Sequence, residues 1–186
     1  MNNVGGSLES SRVLLIDDSL TDAELTIHAL KVRGLAPQIT WLGNAEEALS
    51  YMFRTGEYAE LACGPPHLVL LDVEMPGIGG IGVLERLKRE PRTKTVPIVM
   101  LSSQYDRLTI RKCFELGANS YLVKPTAAID YFQKISAVAH YWLTLNEPAE
   151  DQFIDDDTEN SSRWPAAPRL TKVPEGPIEL RQPRVL

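Results

Sequence analysis

A doubly wound parallel α/β sheet is the fold class this sequence predicts, and three observations carry it. Five short apolar segments, RVLLI, QITWL, HLVLL, VPIVML and SYLV, alternate with stretches of helical period. The run at residues 68–71 is continuously apolar rather than alternating, as in a strand covered on both faces. Crossovers of this length between parallel strands are right-handed, which leaves few other topologies. The expected strand order is 2-1-3-4-5, with the first and third strands adjacent at the switch point where such sheets bind ligands.

The first strand, residues 12–16, ends in the acidic pair Asp17 and Asp18. In the helix that follows, Thr21 and Glu24 have capping-box spacing and Ser19 is the alternative cap. Ala23, Ile27 and Leu30 share one face before Gly34 stops the pattern. Residues 38–42 are the second strand, Asn44 caps a helix through Arg54, and a polar loop with Gly64, Pro65 and Pro66 leads to the third strand at His67. That strand ends at Asp72. Met75, Pro76 and Gly77 stop it, and Gly79 and Gly80 let the backbone turn into a helix over residues 80–90 with Ile81, Leu84 and Leu87 inward. Residues 96–101 are the fourth strand, and a helix over 105–116 closes at Gly117. Residues 120–123 are the fifth strand, and the last helix runs over 127–145.

With 186 residues and 44% apolar content, the chain suffices for one sizeable core but not two ordinary domains. The expected organisation is a flexible leader over 1–11, one domain over 12–145 and a tail over 146–186. Residues 147–159 hold seven acidic side chains and no basic one, and 160–186 hold five prolines without apolar periodicity. Such a tail cannot bury enough surface to offset chain entropy and is expected to be disordered. Net charge is −6, with no nucleic-acid-binding footprint. Cys63 and Cys113 form no CxxC pair, the N-terminus has no basic or apolar signal region, and no window is long enough for a membrane span. A cytoplasmic protein is expected.

The polar residues that end the strands converge on one edge. Asp17, Asp18 and Asp72 would repel one another at neutral pH unless a cation joined them, and Mg2+ is hard, oxygen-liking and held by carboxylates with waters and a phosphate oxygen. An ionised Asp72 beside such a metal is a usable nucleophile towards a phosphoryl group. Lys124, ending the fifth strand, supplies an ammonium to the transferred group, and Ser102, ending the fourth, supplies a hydroxyl. Ser103 is small and leaves access to Asp72 open.

Asp17-Asp18, Asp72 followed by MPG, Ser102 and Lys124-Pro125, spread over five βα units, resemble the receiver domain of two-component response regulators. The resemblance implies a flavodoxin-like receiver fold and makes Asp72 the phosphoacceptor, as a 4-aspartylphosphate. It gives Asp17, Asp18, Asp72 and the Glu74 backbone carbonyl as Mg2+ ligands, Ser102 as the switch hydroxyl and Tyr121 as the aromatic switch. Glu74 and Gln104 fall where the family tunes dephosphorylation, and a cis bond at Lys124-Pro125 would aim the lysine into the crevice. LGANSYLVKP and the helix ending AHYWLTLNEP resemble the single-domain regulators of phytochrome-like histidine kinases, in which the last strand and helix form a homodimer. The implied function is a stand-alone response regulator in a phosphorelay, taking phosphate from a sensor histidine kinase and signalling to a downstream protein or phosphotransfer partner. It would be a phosphoacceptor rather than an enzyme, with at most slow autodephosphorylation. The alternatives are a metal-dependent phosphohydrolase with an aspartyl-phosphate intermediate, and an unphosphorylated scaffold.

Overall fold

The computed structural model describes residues 11–32, 37–61 and 63–147. The expected leader, the Gly34 stop and the tail from Pro148 onward lie outside these residues. In chain order the elements are β1 (Arg12–Ile16), α1 (Leu20–Val32), β2 (Gln38–Leu42), α2 (Ala45–Phe53), β3 (Leu68–Asp72), α3 (Gly79–Arg89), β4 (Ile98–Ser102), α4 (Arg107–Glu115), β5 (Ser120–Val123) and α5 (Ala128–His140). The strands form one parallel sheet in the order β2-β1-β3-β4-β5, as the sequence predicts.

The two faces of the sheet explain the continuous apolar runs. Leu14, Ile16, Val69, Leu71, Ile98 and Met100 point to a core closed by α2, α3 and α4, where Met52, Leu84, Leu87 and Cys113 are buried. Their neighbours Val13, Leu15, Leu68, Leu70, Val99 and Leu101 point to the opposite core, closed by α1 and α5 through Ala23, Leu30, Tyr131 and Ile135. Period two puts alternate residues on opposite faces, so both sets must be apolar. Each fully buried large aliphatic side chain contributes about 1.5–3 kcal/mol. A buried contact of 2.7 Å between the hydroxyls of Thr26 and Tyr131, and a 3.0 Å bond from the Ser136 hydroxyl to the Ala29 carbonyl, fix α1 against α5.

Several element ends differ from expectation. Residues 96 and 97 stay outside β4, because Pro97 has no N–H for the ladder, and its carbonyl instead accepts the Val69 N–H at 2.9 Å. The strand then runs one residue further, through Ser102. Helix α4 begins at Arg107 rather than 105, since the Asp106 carboxylate accepts the N–H groups of Leu108 and Thr109 as a cap. The last helix keeps α geometry only to His140. Tyr141–Leu145 is a π-helical turn, closed by the Asn146 N–H donating to the Tyr141 carbonyl at 2.8 Å. Of the two caps weighed for α1, Ser19 is the one used: its hydroxyl accepts the Asp22 N–H at 3.3 Å.

Gly80 has a different role from the one its sequence suggests. Gly79 turns the chain with φ +64°, whereas Gly80 lies at the start of α3, where a Cβ would stand 1.8 Å from the Asp72 carbonyl oxygen. This contact draws α3 onto the end of β3 and so fixes the backbone that carries Asp72. Gly80→Ala is therefore expected to destabilise the domain by about 2–4 kcal/mol, as overpacking against rigid backbone does. Urea unfolding of the two proteins checks it; equal midpoints would show that α3 can move away without cost.

Candidate functional site

Four strand ends converge at the carboxyl edge because their ladders are in register. Ile16 pairs with Leu71, Asp72 with Leu101, and Ser102 with Val123, so the residues just beyond each pair face one crevice. The ladder continues into the loops: the Val73 N–H donates to the Leu101 carbonyl at 2.8 Å and the Lys124 N–H to the Ser102 carbonyl at 2.6 Å. One ligand oxygen from each of Asp17, Asp18 and Asp72 lies within 4.8 Å of the others. Asp17 and Asp72 are buried, and Asp18 is exposed at the mouth. Hard oxygen donors gathered this closely, with one side open to solvent, fit a small divalent cation.

Lys124 lies across this cluster. Its ammonium is 2.9 Å from Asp17 Oδ2, 2.8 Å from Asp22 Oδ2 and 2.6 Å from Asp72 Oδ1. Burial works against its charge, but the bonds to Asp22 and Asp72 and the charge of Asp17 outweigh it, and the pKa rises. Burial also pushes Asp72 up to about 6, against the pull of Lys124 and with the charges of Asp17 and Glu74 adding to the rise. Asp17 is raised by burial as well, opposed by Lys124 and by the Ser19 N–H, which donates to Oδ1 at 2.9 Å. The lysine reaches all three carboxylates although no peptide bond among the described residues is cis. The cis Lys124-Pro125 bond raised by the resemblance is therefore absent, because a trans backbone at the end of β5 already directs the side chain into the crevice.

The remaining expected residues gather beside Asp72. The Ser102 hydroxyl donates to Glu74 Oε1 at 2.5 Å, and the Ser103 N–H donates to Glu74 Oε2 at 3.1 Å. The Gln104 N–H donates back to Ser102 Oγ at 3.0 Å, while the Gln104 residue itself is exposed. Tyr121, in β5, packs against the α2–α3–α4 core with its hydroxyl buried, and burial raises its pKa, opposed by the Ser102 hydroxyl. Asp22 is the site residue that sequence reasoning missed. Its visible signal is an acidic residue in the first turn of α1, five positions after Asp17, which reads equally well as a carboxylate favoured by the helix dipole.

This fold and site are those of a phosphoacceptor domain of two-component signalling, and the chain belongs to the response regulator receiver domain family, whose model matches residues 13–136. Response regulator Rcp1 of Synechocystis is 30% identical over 138 residues, 74% of this chain and 92% of that protein. Among solved structures, the phosphorylated cyanobacterial phytochrome response regulator RcpA superposes with TM-score 0.71 at 27% identity, covering 75% of this chain and 98% of that one. The Mn2+-bound form of Rcp1 gives TM-score 0.70 at 27% identity over 75% and 99% of the two chains. Proteins of this family act as phosphoacceptors in signalling rather than as turnover enzymes. No helix among the described residues is long and apolar enough to cross a membrane.

The raised pKa of Asp72 has a sign that can be checked. A carboxyl group titrating near 6 in the fold and near 3.8 in the unfolded chain adds stability below the lower value and loses it as pH rises through the upper one. In metal-free solution the neutral isostere Asp72→Asn is thus expected to exceed wild type at pH 8 by about 1–2 kcal/mol, part of the shift being offset by the weaker partner it gives Lys124. Below pH 4 the difference is expected to vanish. Thermal melts in chelator across this range test it, and a variant less stable than wild type at pH 8 would overturn the assignment.

Proposed function

We propose that Asp72 accepts a phosphoryl group from a sensor histidine kinase, and that the protein works in the cytoplasm as a stand-alone response regulator. One observation carries this: a buried carboxylate at the end of the central strand has an ammonium 2.6 Å away and two further aspartates beside it. Asp17, Asp18, Asp72 and the Glu74 backbone carbonyl are the residues that would hold Mg2+, and the cation supplies charge neutralisation at the transferred group. An Asp72 oxygen attacks the phosphorus of the donor phosphohistidine, the P–N bond breaks, and the imidazole leaves. Lys124 exchanges its bond to Asp72 for a phosphoryl oxygen, and Ser102 donates to another.

Glu74 gives the rate-tuning role a physical form. Its carboxylate occupies the Ser102 hydroxyl and the Ser103 N–H together, the donors an anionic phosphoryl group on Asp72 would draw upon. A phosphohydrolase would instead use this residue as a mobile acid or base, so its engagement favours the signalling reading. The partner kinase is proposed to be phytochrome-like, since RcpA is a phytochrome response regulator. The output goes to a downstream protein or phosphotransfer partner.

A homodimer through β5 and α5 is part of the proposal. Trp142 is half-buried against the α1–α5 core, whereas Tyr141 and Leu145 are 50% and 63% exposed. An apolar, outward end of the last helix suits a twofold contact.

Acetyl phosphate with Mg2+ is expected to give one base-labile modification that Asp72→Asn abolishes; incorporation elsewhere in the variant at wild-type extent would overturn the assignment. In a beryllofluoride titration with Mg2+, Glu74→Ala is expected to raise beryllofluoride affinity several-fold, and unchanged affinity would refute competition for the two donors. Sedimentation of Tyr141→Glu should show a monomer where wild type is dimeric, and a monomeric wild type with and without beryllofluoride would remove the dimer.

A further inference from the structure

The Lys124 ammonium has three carboxylate partners, and they are not equivalent. Asp17 and Asp72 belong to the cluster that fits a divalent cation, and Asp72 is in addition the group that reacts. Asp22 belongs to neither set. Its Oδ2 is 2.8 Å from Lys124 Nζ, and it is the least buried of the three, with its side chain 41% exposed.

Its mounting is firm. The Asp22 N–H donates to the Ser19 hydroxyl at 3.3 Å, and its carbonyl accepts the Thr26 hydroxyl at 2.8 Å. Thr26 in turn lies 2.7 Å from the buried Tyr131 hydroxyl of α5. The first turn of α1, and with it the backbone that carries the Asp22 carboxylate, is thereby fixed to the helix that follows Lys124 in sequence.

We infer that Asp22 is a positioning residue that gives Lys124 a further carboxylate partner, so that the lysine can yield the oxygens of Asp17 and Asp72 to Mg2+ and still stay paired in the crevice. This rests on the reading of that crevice as the metal and phosphoryl site. An ammonium and a divalent cation compete for the same carboxylate oxygens, because each repels the other and each oxygen satisfies one of them best. The Lys124 side chain is only 11% exposed, so without another anion it would leave its carboxylates only by becoming a buried, unpaired charge. Asp22 removes that obstacle. Take it away, and Asp17 and Asp72 are the partners left to the lysine, which then opposes the metal.

The test is Mg2+ titration by calorimetry on the full chain, in wild type, Asp22→Asn, Lys124→Met and the double variant. Asp22→Asn is expected to weaken Mg2+ binding three- to ten-fold. In the Lys124→Met background the same substitution is expected to change affinity less than two-fold, because the competitor is gone. Asp22→Glu, which keeps the carboxylate, should hold affinity within two-fold of wild type, whereas a residue serving only α1 would show no difference between Asn and Glu in Mg2+ affinity. An Asp22→Asn protein with wild-type affinity overturns the inference, as does an equal loss in both backgrounds, which would be the general effect of one fewer negative charge. A wild type that binds no Mg2+ would instead remove the reading of the crevice itself. Metal-free melting of each variant confirms that the compared proteins are folded, and Asp22→Ser replaces Asp22→Asn should the latter fail.

Discussion

Burying two carboxylates beside one ammonium is the constraint on which the rest of this structure depends. An ionised carboxylate removed from water without a partner costs several kcal/mol, and removing one member of a buried pair exposes most of that cost. Asp17 and Asp72 meet the constraint through Lys124, which lies 107 residues from Asp17 along the chain. Such a distance cannot be closed by local structure. It is closed by the sheet: β3 pairs with β1 on one side and β4 on the other, and β4 aligns β5 so that Lys124 leaves its strand one step past Ser102.

The two apolar faces supply the stability that the crevice consumes. Along β1, β3 and β4 nearly every side chain is buried, and polar side chains come in at the carboxyl edge, with Asp72 ending β3 and Ser102 ending β4. The close approach of Gly80 to the Asp72 carbonyl belongs to the same balance, since it seats α3 against β3 and fixes the backbone that carries Asp72. A carboxylate carried on backbone held this way would lose little entropy on meeting a substrate. The strain of neighbouring negative charges remains, and it is what a cation relieves.

What the sequence discloses divides along these lines. Continuous apolar runs and the acids and lysine that end them are local patterns, so the fold class, strand order and convergence of Asp17, Asp18, Asp72, Ser102 and Lys124 on one edge are legible before any coordinates. Element ends were less legible, because they turn on single competing groups. Pro97 shortens β4 at its start by withholding an N–H, and the Asp106 carboxylate, as the cap, delays α4 to Arg107. Thr21 with Glu24 matches a capping box as well as Ser19 does, and only the register of the turn decides for Ser19. Asp22 escaped because its partner stands 102 residues away, and an acid in the first turn of a helix has an ordinary explanation close at hand. Of the expected leader and tail, only residues 11, 146 and 147 are among the described ones.

The contact between Glu74 and the loop after β4 bears on how phosphorylation would be read at a distance. Ser102 and Ser103 are already satisfied, by a carboxylate rather than by water, so a phosphoryl group gains only the difference between its own bonds and those of Glu74. An anion of nearly two charges with three acceptor oxygens makes that difference favourable, and the presence of Glu74 keeps it small. Beneath the same loop Tyr121 is partly buried against the α2–α3–α4 core, with its hydroxyl inside. The segment from Ser103 to Asp106 and the start of α4 lies directly above it, and there Tyr105 and Leu108 are 69% and 77% exposed. A signal passed this way travels by exchange of hydrogen-bond partners at Ser102 and Ser103, and its strength is set by how tightly Glu74 holds them in the unphosphorylated protein.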